Sequence, residues 1–191
     1  MRKRSEYKSF QYSRFRKSLL SWYKAQKRDL PWRKTKDPYK ILISEIMLQQ
    51  TQVETVIPYY KAWMKKFNTV KKLATASLDE VLILWEGMGY YSRARNLHLT
   101  AKEIVKNYNG KIPGSYEDLL RLPGIGTYTA GAVASIAFDQ PVPAIDANVR
   151  RVLTRLFCLS PSSSNDKTFW ELAANLLGSA PPSEFNQAMM E

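Results

Sequence analysis

The sequence predicts an all-α protein built from roughly ten short helices. Apolar residues recur with helical spacing along nearly the whole chain, whereas the alternation and hairpin turns typical of β-strands are missing. Capping residues and glycine stops divide the periodic stretches into short lengths. With 191 residues, the chain is long enough to bury a sizeable core in one domain or in two small ones.

Local capping signals place the first helices. Asp37-Pro38 supplies an N-cap and a first helical position for a helix that is expected to reach about Gln50. Thr51 is expected to cap the next helix, and Ser77 with Glu80 forms a capping box before a third. Further helices are predicted over residues 92–107, 115–120, 127–138, 149–159 and 166–177, with a polar break at 160–165 and a last helix after residue 183.

Positive charge is concentrated at the start of the chain. The formal net charge is +12, and residues 1–40 hold 14 Lys and Arg against 3 Asp and Glu, whereas the other residues hold 15 against 14. This basic arm, which begins with Arg2, Lys3 and Arg4, and the first helix would add salt-sensitive, sequence-independent affinity for phosphates. A solvated tail or adhesion to an acidic membrane is the alternative. Large apolar residues interrupt the block from Arg14 to Lys36, so one face of it is expected to pack.

Composition excludes several kinds of site and compartment. The single cysteine, Cys158, excludes an internal disulfide and a cysteine-based cluster, and the single histidine, His98, excludes a histidine-rich metal site. No apolar segment is long enough to span a membrane, and the N-terminus lacks the apolar stretch of a signal peptide. We therefore expect an intracellular protein, in the cytoplasm or nucleoid if it is bacterial.

The segment 122–126, with the sequence LPGIG, is predicted to form a helix-hairpin-helix turn between two helices. Amides near Gly124, Gly126 and Thr127 would face outward at the start of the second helix, where the helix dipole also favours an anion. A plain turn between helices explains the five residues equally well. Asp146 follows twenty residues later at an expected helix start, which places a carboxylate at a fixed separation from a possible phosphate grip.

Two carboxylates have opposite electrostatic surroundings. Glu45 lies on an apolar helix, where burial would raise its pKa as a general acid requires. Asp146, at a helix N-terminus, is expected to stay ionised. An aspartate at a helix start is most often only a cap, whereas an unpaired buried glutamate is costly and harder to explain structurally.

Six segments, at 28–33, 44–52, 85–97, 122–131, 145–149 and 185–190, carry a resemblance to a known family. In this order they resemble the adenine DNA glycosylases of the MutY family, among the helix-hairpin-helix base-excision glycosylases. The resemblance implies two helical domains that flank a DNA-binding cleft. Residues 33–145 would form a helical-barrel domain with the hairpin, and 1–32 plus 146–191 a second domain that is incomplete because it lacks the iron–sulfur loop.

The same resemblance assigns the chemistry. It implies that Glu45 protonates N7 of adenine and then activates water. It places the Asp146 carboxylate at the sugar, where it stabilises the positive charge that develops or bonds to the sugar transiently. Tyr128 stands where lyase-type relatives such as endonuclease III carry a nucleophilic lysine. Because a phenol cannot form a Schiff base, a monofunctional glycosylase that leaves an abasic site is expected. Arg150 stands where some adenine glycosylases have a lysine able to trap the product, which arginine does not readily do.

Further positions are implied to contact DNA. Gln50 and Tyr90 match the positions that wedge into the duplex when the target base leaves the stack, and Thr51 would lie near the opposite base. Tyr90 is otherwise explained as part of a packed turn. The adenine pocket is implied to be lined by Arg28, Trp32 and Gln187.

The sequence also departs from the family pattern. Relatives usually continue into four cysteines that hold a [4Fe–4S] cluster and then into a domain that recognises 8-oxoguanine, and neither is present in these residues. No cofactor is therefore expected within this chain, apart from a possible K⁺ or Na⁺ held by backbone carbonyls of Leu120, Leu122 and Ile125. Ala147 replaces a glycine that usually follows the catalytic aspartate.

Three functions remain open. The first is excision of adenine mispaired with 8-oxoguanine or guanine in base-excision repair, with double-stranded DNA as partner, no membrane and a monomeric enzyme. The second is a related mismatch glycosylase that removes thymine or uracil, against which the Glu45–Gln52 segment argues. The third is a non-catalytic DNA-binding fragment, which the missing cysteines and Ala147 favour.

Overall fold

The computed structural model describes residues 10–160 and 165–191. Within these residues the prediction of an all-α protein is confirmed, because they form eleven α-helices and one short 3₁₀-helix, Pro31–Lys34, and no strand. The helices are α1 Tyr12–Gln26, α2 Pro38–Met47, α3 Val53–Lys66, α4 Val70–Thr75, α5 Leu78–Trp85, α6 Ser92–Asn107, α7 Tyr116–Leu120, α8 Thr127–Phe138, α9 Ala147–Leu156, α10 Asp166–Leu177 and α11 Pro182–Met190.

Most of the capping predictions are confirmed. The Asp37 carboxylate accepts hydrogen bonds from the backbone amides of Tyr39 and Lys40 at the start of α2. Ser77 and Glu80 form the expected reciprocal capping box at α5. Helices α6, α8 and α10 have the predicted bounds. Strong local signals therefore fix these ends, as expected for side chains that satisfy orphan backbone groups.

Other boundaries differ from the prediction. Helix α2 ends at Met47 rather than near Gln50, and the N-cap of α3 is Gln52 rather than Thr51. Thr51 does not cap, because its hydroxyl accepts a 3.0 Å hydrogen bond from Arg93. Helix α4 was not predicted, and α9 covers Ala147–Leu156 instead of 149–159. The first basic residues, Arg2, Lys3 and Arg4, and positions 161–164 of the polar break lie outside the described residues.

The buried hydrophobic residues form two clusters. The first runs from Leu30 to Ala144 and includes the fully buried Trp63 and Trp85. The second runs from Val149 to Met189, and the inner face of α1 packs against it, as expected for the basic block. Helix α8 contacts both α2 and α11, so it joins the two clusters. We propose that the domains divide near residues 33 and 146, where one cluster gives way to the other.

Small residues let the chain pass close to α8. A Cβ atom at Gly131 would clash with the backbone oxygen of Pro143, so this glycine permits the segment after α8 to lie directly on the helix. That segment leads to Asp146 at the start of α9. No helix in the part of the chain that the structure describes combines the length and apolarity needed to cross a bilayer.

Candidate active site

A cleft of about 1150 Å³ lies between residues of both clusters. Most of the residues predicted from the sequence to act on DNA line it, namely Glu45, Asp146, Tyr128, Arg28, Trp32, Gln50, Thr51, Gly124, Gly126, Thr127 and Gln187. Tyr90 and the three hairpin carbonyl residues, Leu120, Leu122 and Ile125, do not line it. The structure thus brings together residues that lie up to about 160 positions apart in the sequence.

Glu45 reaches the cleft from the buried helix α2 and is 5% exposed. Burial raises the pKa of Glu45 from 4.5 to about 7, although a hydrogen bond from Tyr128 opposes the rise. The Tyr128 hydroxyl donates this bond to Oε2 of Glu45 over 2.5 Å, and it also lies 3.3 Å from the sulfur of Met190. Burial and the neighbouring carboxylate in turn raise the pKa of Tyr128. Glu45 can therefore carry a proton near neutral pH.

Asp146 is the N-cap of α9. Its Oδ1 accepts a 2.7 Å hydrogen bond from the Val149 amide, and its Oδ2 accepts one of 3.1 Å from the side chain of Asn148. The half-buried carboxylate faces the cleft and raises the pKa of Glu45 electrostatically. The cleft therefore holds a buried acid and a second carboxylate fixed at a helix N-terminus, where the dipole favours negative charge.

A buried amide on α11 fixes the segment that precedes Asp146. Asn186, which is 2% exposed, accepts a 3.1 Å hydrogen bond from the Ala144 amide and donates one of 2.9 Å to the Val142 carbonyl. These two bonds replace the backbone partners that an extended segment lacks. The position of Asp146 thus depends on a contact between α11 and residues 142–144.

The hairpin between α7 and α8 presents an open helix start to the cleft. Gly126 is the N-cap of α8 without a side-chain cap, and Gly124 has a φ of +71°. A Cβ at Gly124 would come within 2.6 Å of the Asn96 side chain on α6, so both its conformation and its packing require glycine. The exposed positions Gly124, Gly126 and Thr127 make this edge suited to an anion.

An ion pair at the cleft was not predicted from the sequence. The Glu191 carboxylate accepts hydrogen bonds from Arg33 over 2.6 Å and from the Arg28 guanidinium over 2.9 and 3.1 Å. Burial opposes ionisation, but these bonds outweigh it and lower the pKa of Glu191 to about 2. Arg33 belongs to residues 28–33, one of the segments that carry the family resemblance, and this was the signal that could have identified it.

Trp32 and Gln187, two residues of the predicted base pocket, line the same cleft as this ion pair. Trp32 is buried and its ring packs edge-on against Tyr60 with centroids 5.3 Å apart. The side-chain oxygen of Gln187 accepts a hydrogen bond from Tyr23, and its amide group donates to the Ser183 carbonyl. This arrangement offers an aromatic wall together with ordered polar groups.

The two residues predicted to wedge into DNA stand on separate loops. Gln50, after α2, is exposed with a φ of +56°, and Tyr90, before α6, is 59% exposed with a φ of +48°. Arg93, a buried residue that the sequence interpretation passed over, lies between these loops. Its helical spacing to Leu97 and Ala101, both buried on α6, was the signal that it faces inward.

The cofactors that the family pattern implies are a [4Fe–4S] cluster and a monovalent cation. The sequence has one cysteine, the exposed Cys158, so these residues do not fit a four-cysteine [4Fe–4S] cluster. At the hairpin, the Leu122 carbonyl already accepts a 3.2 Å hydrogen bond from the Ile125 amide. A monovalent cation held by the carbonyls of Leu120, Leu122 and Ile125 stays a prediction.

Ala147 and Arg150, two residues near Asp146 that differ from the family pattern, occupy different surroundings. Ala147 is exposed and lines the cleft, so its methyl group borders the space beside the Asp146 carboxylate. Arg150 does not line the cleft, because its guanidinium pairs with Asp166 over 2.8 Å and lies 4.9 Å from the centre of the Phe169 ring.

Curated relatives match nearly the whole chain. It is 50% identical to the adenine DNA glycosylase of Rattus norvegicus over 189 residues, which cover 93% of this chain and 37% of that protein. It is 42% identical to the adenine DNA glycosylase of Buchnera aphidicola subsp. Baizongia pistaciae, with 93% of this chain and 51% of that protein covered. The chain thus spans about a third to a half of the length of these relatives.

Solved structures share the fold. A thermostable thymine-DNA glycosylase is 32% identical with a TM-score of 0.86, covering 94% of this chain and 84% of that one. Endonuclease III in a non-covalent complex with DNA is 25% identical with a TM-score of 0.76, covering 95% and 85%. Residues 43–176, which hold Glu45, the hairpin, Tyr128 and Asp146, match the HhH-GPD superfamily base excision DNA repair protein family. The chain therefore belongs to the HhH-GPD superfamily of base excision DNA repair proteins.

Proposed function

We propose that this chain is a monofunctional DNA glycosylase that excises adenine mispaired with 8-oxoguanine or guanine. The observation that carries this proposal is the buried Glu45, whose pKa is raised to about 7 and which shares one cleft with the ionisable Asp146. The adenine DNA glycosylases to which the chain is up to 50% identical favour adenine as the base.

The geometry supports a stepwise hydrolysis of the N-glycosidic bond. The adenine enters the cleft, and protonated Glu45 gives its proton to N7, which neutralises the leaving base as the bond between N9 and C1′ breaks. Asp146 lies opposite the positive charge that develops on the sugar. Glu45, now ionised, takes a proton from the water that attacks C1′. The reaction releases adenine and leaves an abasic site.

The hairpin and the exposed loops provide the DNA contact. Endonuclease III, which shares this fold, has been solved in complex with DNA. The open amides at the start of α8 suit a backbone phosphate, and Gln50 and Tyr90 are exposed on loops that suit insertion where the base leaves the stack. Arg28, Trp32 and Gln187 would surround the extruded base. We propose that the protein works as a monomer on DNA inside the cell.

Excision of thymine is the second candidate. The thermostable thymine-DNA glycosylase with a TM-score of 0.86 to this chain is the observation that favours it. The two functions differ in how the leaving base is protonated, because adenine has an N7 that a buried acid can protonate and thymine has none. A buried Glu45 that can hold a proton near neutral pH therefore favours adenine.

A set of labelled duplexes tests both functions. Duplexes with adenine opposite 8-oxoguanine, guanine or thymine, and one with thymine opposite guanine, are incubated with the protein and then treated with alkali to reveal abasic sites. Adenine release that is lost in Glu45→Gln and Asp146→Asn, and kept in the exposed control Asp79→Asn, is expected. Release of thymine alone would select the second function. Binding without any release would overturn both.

A further inference from the structure

A single buried guanidinium joins two loops at the edge of the cleft. Arg93 on α6 is 8% exposed, and its terminal nitrogens lie within hydrogen-bond distance of six oxygen atoms from two separate segments. These are the backbone oxygens of Ile46, Met47, Gln49, Met88 and Gly89 and the hydroxyl of Thr51. Arginine is the one side chain with enough donors in a rigid fork to serve such a set.

The first segment is the end of α2 and the turn that carries Gln50. Nη1 of Arg93 donates to the carbonyls of Met47 over 2.8 Å and Gln49 over 2.5 Å. The last carbonyls of a helix lack intrahelical partners and carry the negative end of the helix dipole, so a cation there is favoured. These bonds enclose Gln50 and fix the turn in which it adopts its left-handed conformation.

The second segment is the loop that carries Tyr90. Nη2 of Arg93 donates to the carbonyl of Gly89 over 3.2 Å, and the indole of Trp85 donates to the same oxygen over 3.0 Å. The guanidinium carbon lies 5.2 Å from the ring centre of Trp85 and 5.4 Å from that of Tyr90. The exposed Tyr90 ring therefore rests on the same group that holds the Gln50 turn.

The guanidinium retains one unmet donor. Nε of Arg93 is buried and has no hydrogen-bond partner among the described residues. A buried donor without a partner is unfavourable. Arg93 therefore bonds to the two loops through Nη1 and Nη2 although its Nε stays without a hydrogen bond.

We propose that Arg93 is a positioning residue that makes the Gln50 turn and the Tyr90 loop one rigid unit, so that both side chains enter the duplex together as the target base leaves. This inference rests on the proposed function. Arg93 itself is buried and does not line the cleft. A lysine at this position keeps the positive charge but has a single ammonium group. That group cannot bond to both segments and also contact the Trp85 and Tyr90 rings.

The substitution Arg93→Lys is tested with a fluorescent base. A duplex with 2-aminopurine in place of the target adenine is mixed with protein that carries Glu45→Gln, which removes the proposed acid, and the rise in fluorescence reports unstacking. In this background Arg93→Lys is expected to remove most of the rise. In protein that keeps Glu45, Arg93→Lys is expected to lower single-turnover adenine excision about 10- to 100-fold, as for other small misplacements. The pH profile of excision should keep its shape because Glu45 is untouched. Arg155→Lys, an exposed arginine on α9, is the matched control.

The outcomes separate this inference from the proposed function. Full fluorescence with Arg93→Lys, whatever the excision rate, would overturn the inference. If protein with Arg93 unsubstituted unstacks 2-aminopurine, but the form that keeps Glu45 releases no adenine, the proposed function is overturned. The fluorescence of Arg93→Lys relative to that protein then still decides the role of Arg93. If the parent raises no fluorescence, the inference fails as well, because there is then no unstacking for Arg93 to support.

A second measurement keeps Arg93 in place and guards against a variant that does not fold. The fluorescence rise is measured for Gln50→Ala, Tyr90→Ala and the double variant. Two side chains on one rigid unit should give non-additive effects, with the double variant little worse than the more damaging single one. Independent, additive effects of the two substitutions would contradict the proposal.

Discussion

The hydroxyl of Tyr128 donates a 2.5 Å hydrogen bond to Oε2 of Glu45, and the two residues belong to helices on opposite sides of one packing interface. Burial raises the pKa of the carboxyl to about 7, and the bond from Tyr128 holds it below the value that burial alone would produce. The phenol of Tyr128 therefore adjusts the acidity of Glu45 without reacting itself, which distinguishes it from a nucleophilic lysine at the same position.

Replacement of Tyr128 by phenylalanine should shift the pH profile of excision. Since the phenol stabilises the ionised carboxylate, its loss raises the pKa of Glu45, by about one unit for a charged hydrogen bond. An acid is active when protonated, so the limb on which activity falls with rising pH moves upward. Single-turnover rates between pH 5 and 9 measure the shift, with Tyr108→Phe as control. A limb that moves downward would show that Tyr128 does not stabilise the carboxylate.

Replacement of Glu45 by glutamine should stabilise the protein in alkali while it abolishes excision. The folded-state pKa of about 7 lies above the ordinary 4.5, so the stability linked to this carboxyl is fully present below pH 4.5 and is lost as pH rises through 7. Glutamine carries no proton to lose. The free energy of unfolding of Glu45→Gln relative to the parent should therefore rise by roughly 1–3 kcal/mol between pH 5 and pH 8.5. Urea unfolding at both pH values measures it, and a constant difference would contradict a buried, raised pKa.

Local signals predicted the helices well where a side chain caps its own helix. Asp37, Ser77 and Glu80 bond to amides within a few residues of themselves, so the sequence around them contains the whole interaction. Thr51 has the same side-chain chemistry but bonds to Arg93, 42 residues away. A prediction from neighbouring residues cannot detect that partner, and the cap was therefore misplaced.

The same distinction holds for the cleft. The sequence could suggest Glu45 from its apolar helix and Asp146 from its cap position, and the structure places both on one cleft. The hydrogen bond between Glu191 and Arg33 spans 158 residues, and its formation depends on α11 folding back toward the 3₁₀-helix. Only tertiary packing creates that pair, so no pattern of spacing contains it.

The protein should not form a covalent adduct with abasic DNA. A Schiff base requires a primary amine, and the described residues that line the cleft include no lysine. Arg150 stands where some relatives are expected to carry a product-trapping lysine, but it is an arginine and is paired with Asp166 away from the cleft. Incubation with abasic DNA and borohydride, followed by denaturing electrophoresis, should show no trapped band, with endonuclease III as the positive control. A trapped band would place an amine at the sugar and refute the monofunctional assignment.

Two substitutions at Asp146 should separate its structural role from its chemical one. The carboxylate caps α9 through the Val149 amide, and asparagine caps a helix about as well as aspartate does. Asp146→Asn should therefore change the free energy of unfolding by only a few tenths of a kcal/mol, whereas Asp146→Ala should lower it by about 1 kcal/mol. Both should lose excision by a similar large factor, because neither offers a negative charge to the sugar. Urea unfolding and single-turnover excision measured on the same preparations test this. Activity in Asp146→Asn close to that of the parent would mean that the helix cap, rather than the charge, is what the reaction needs.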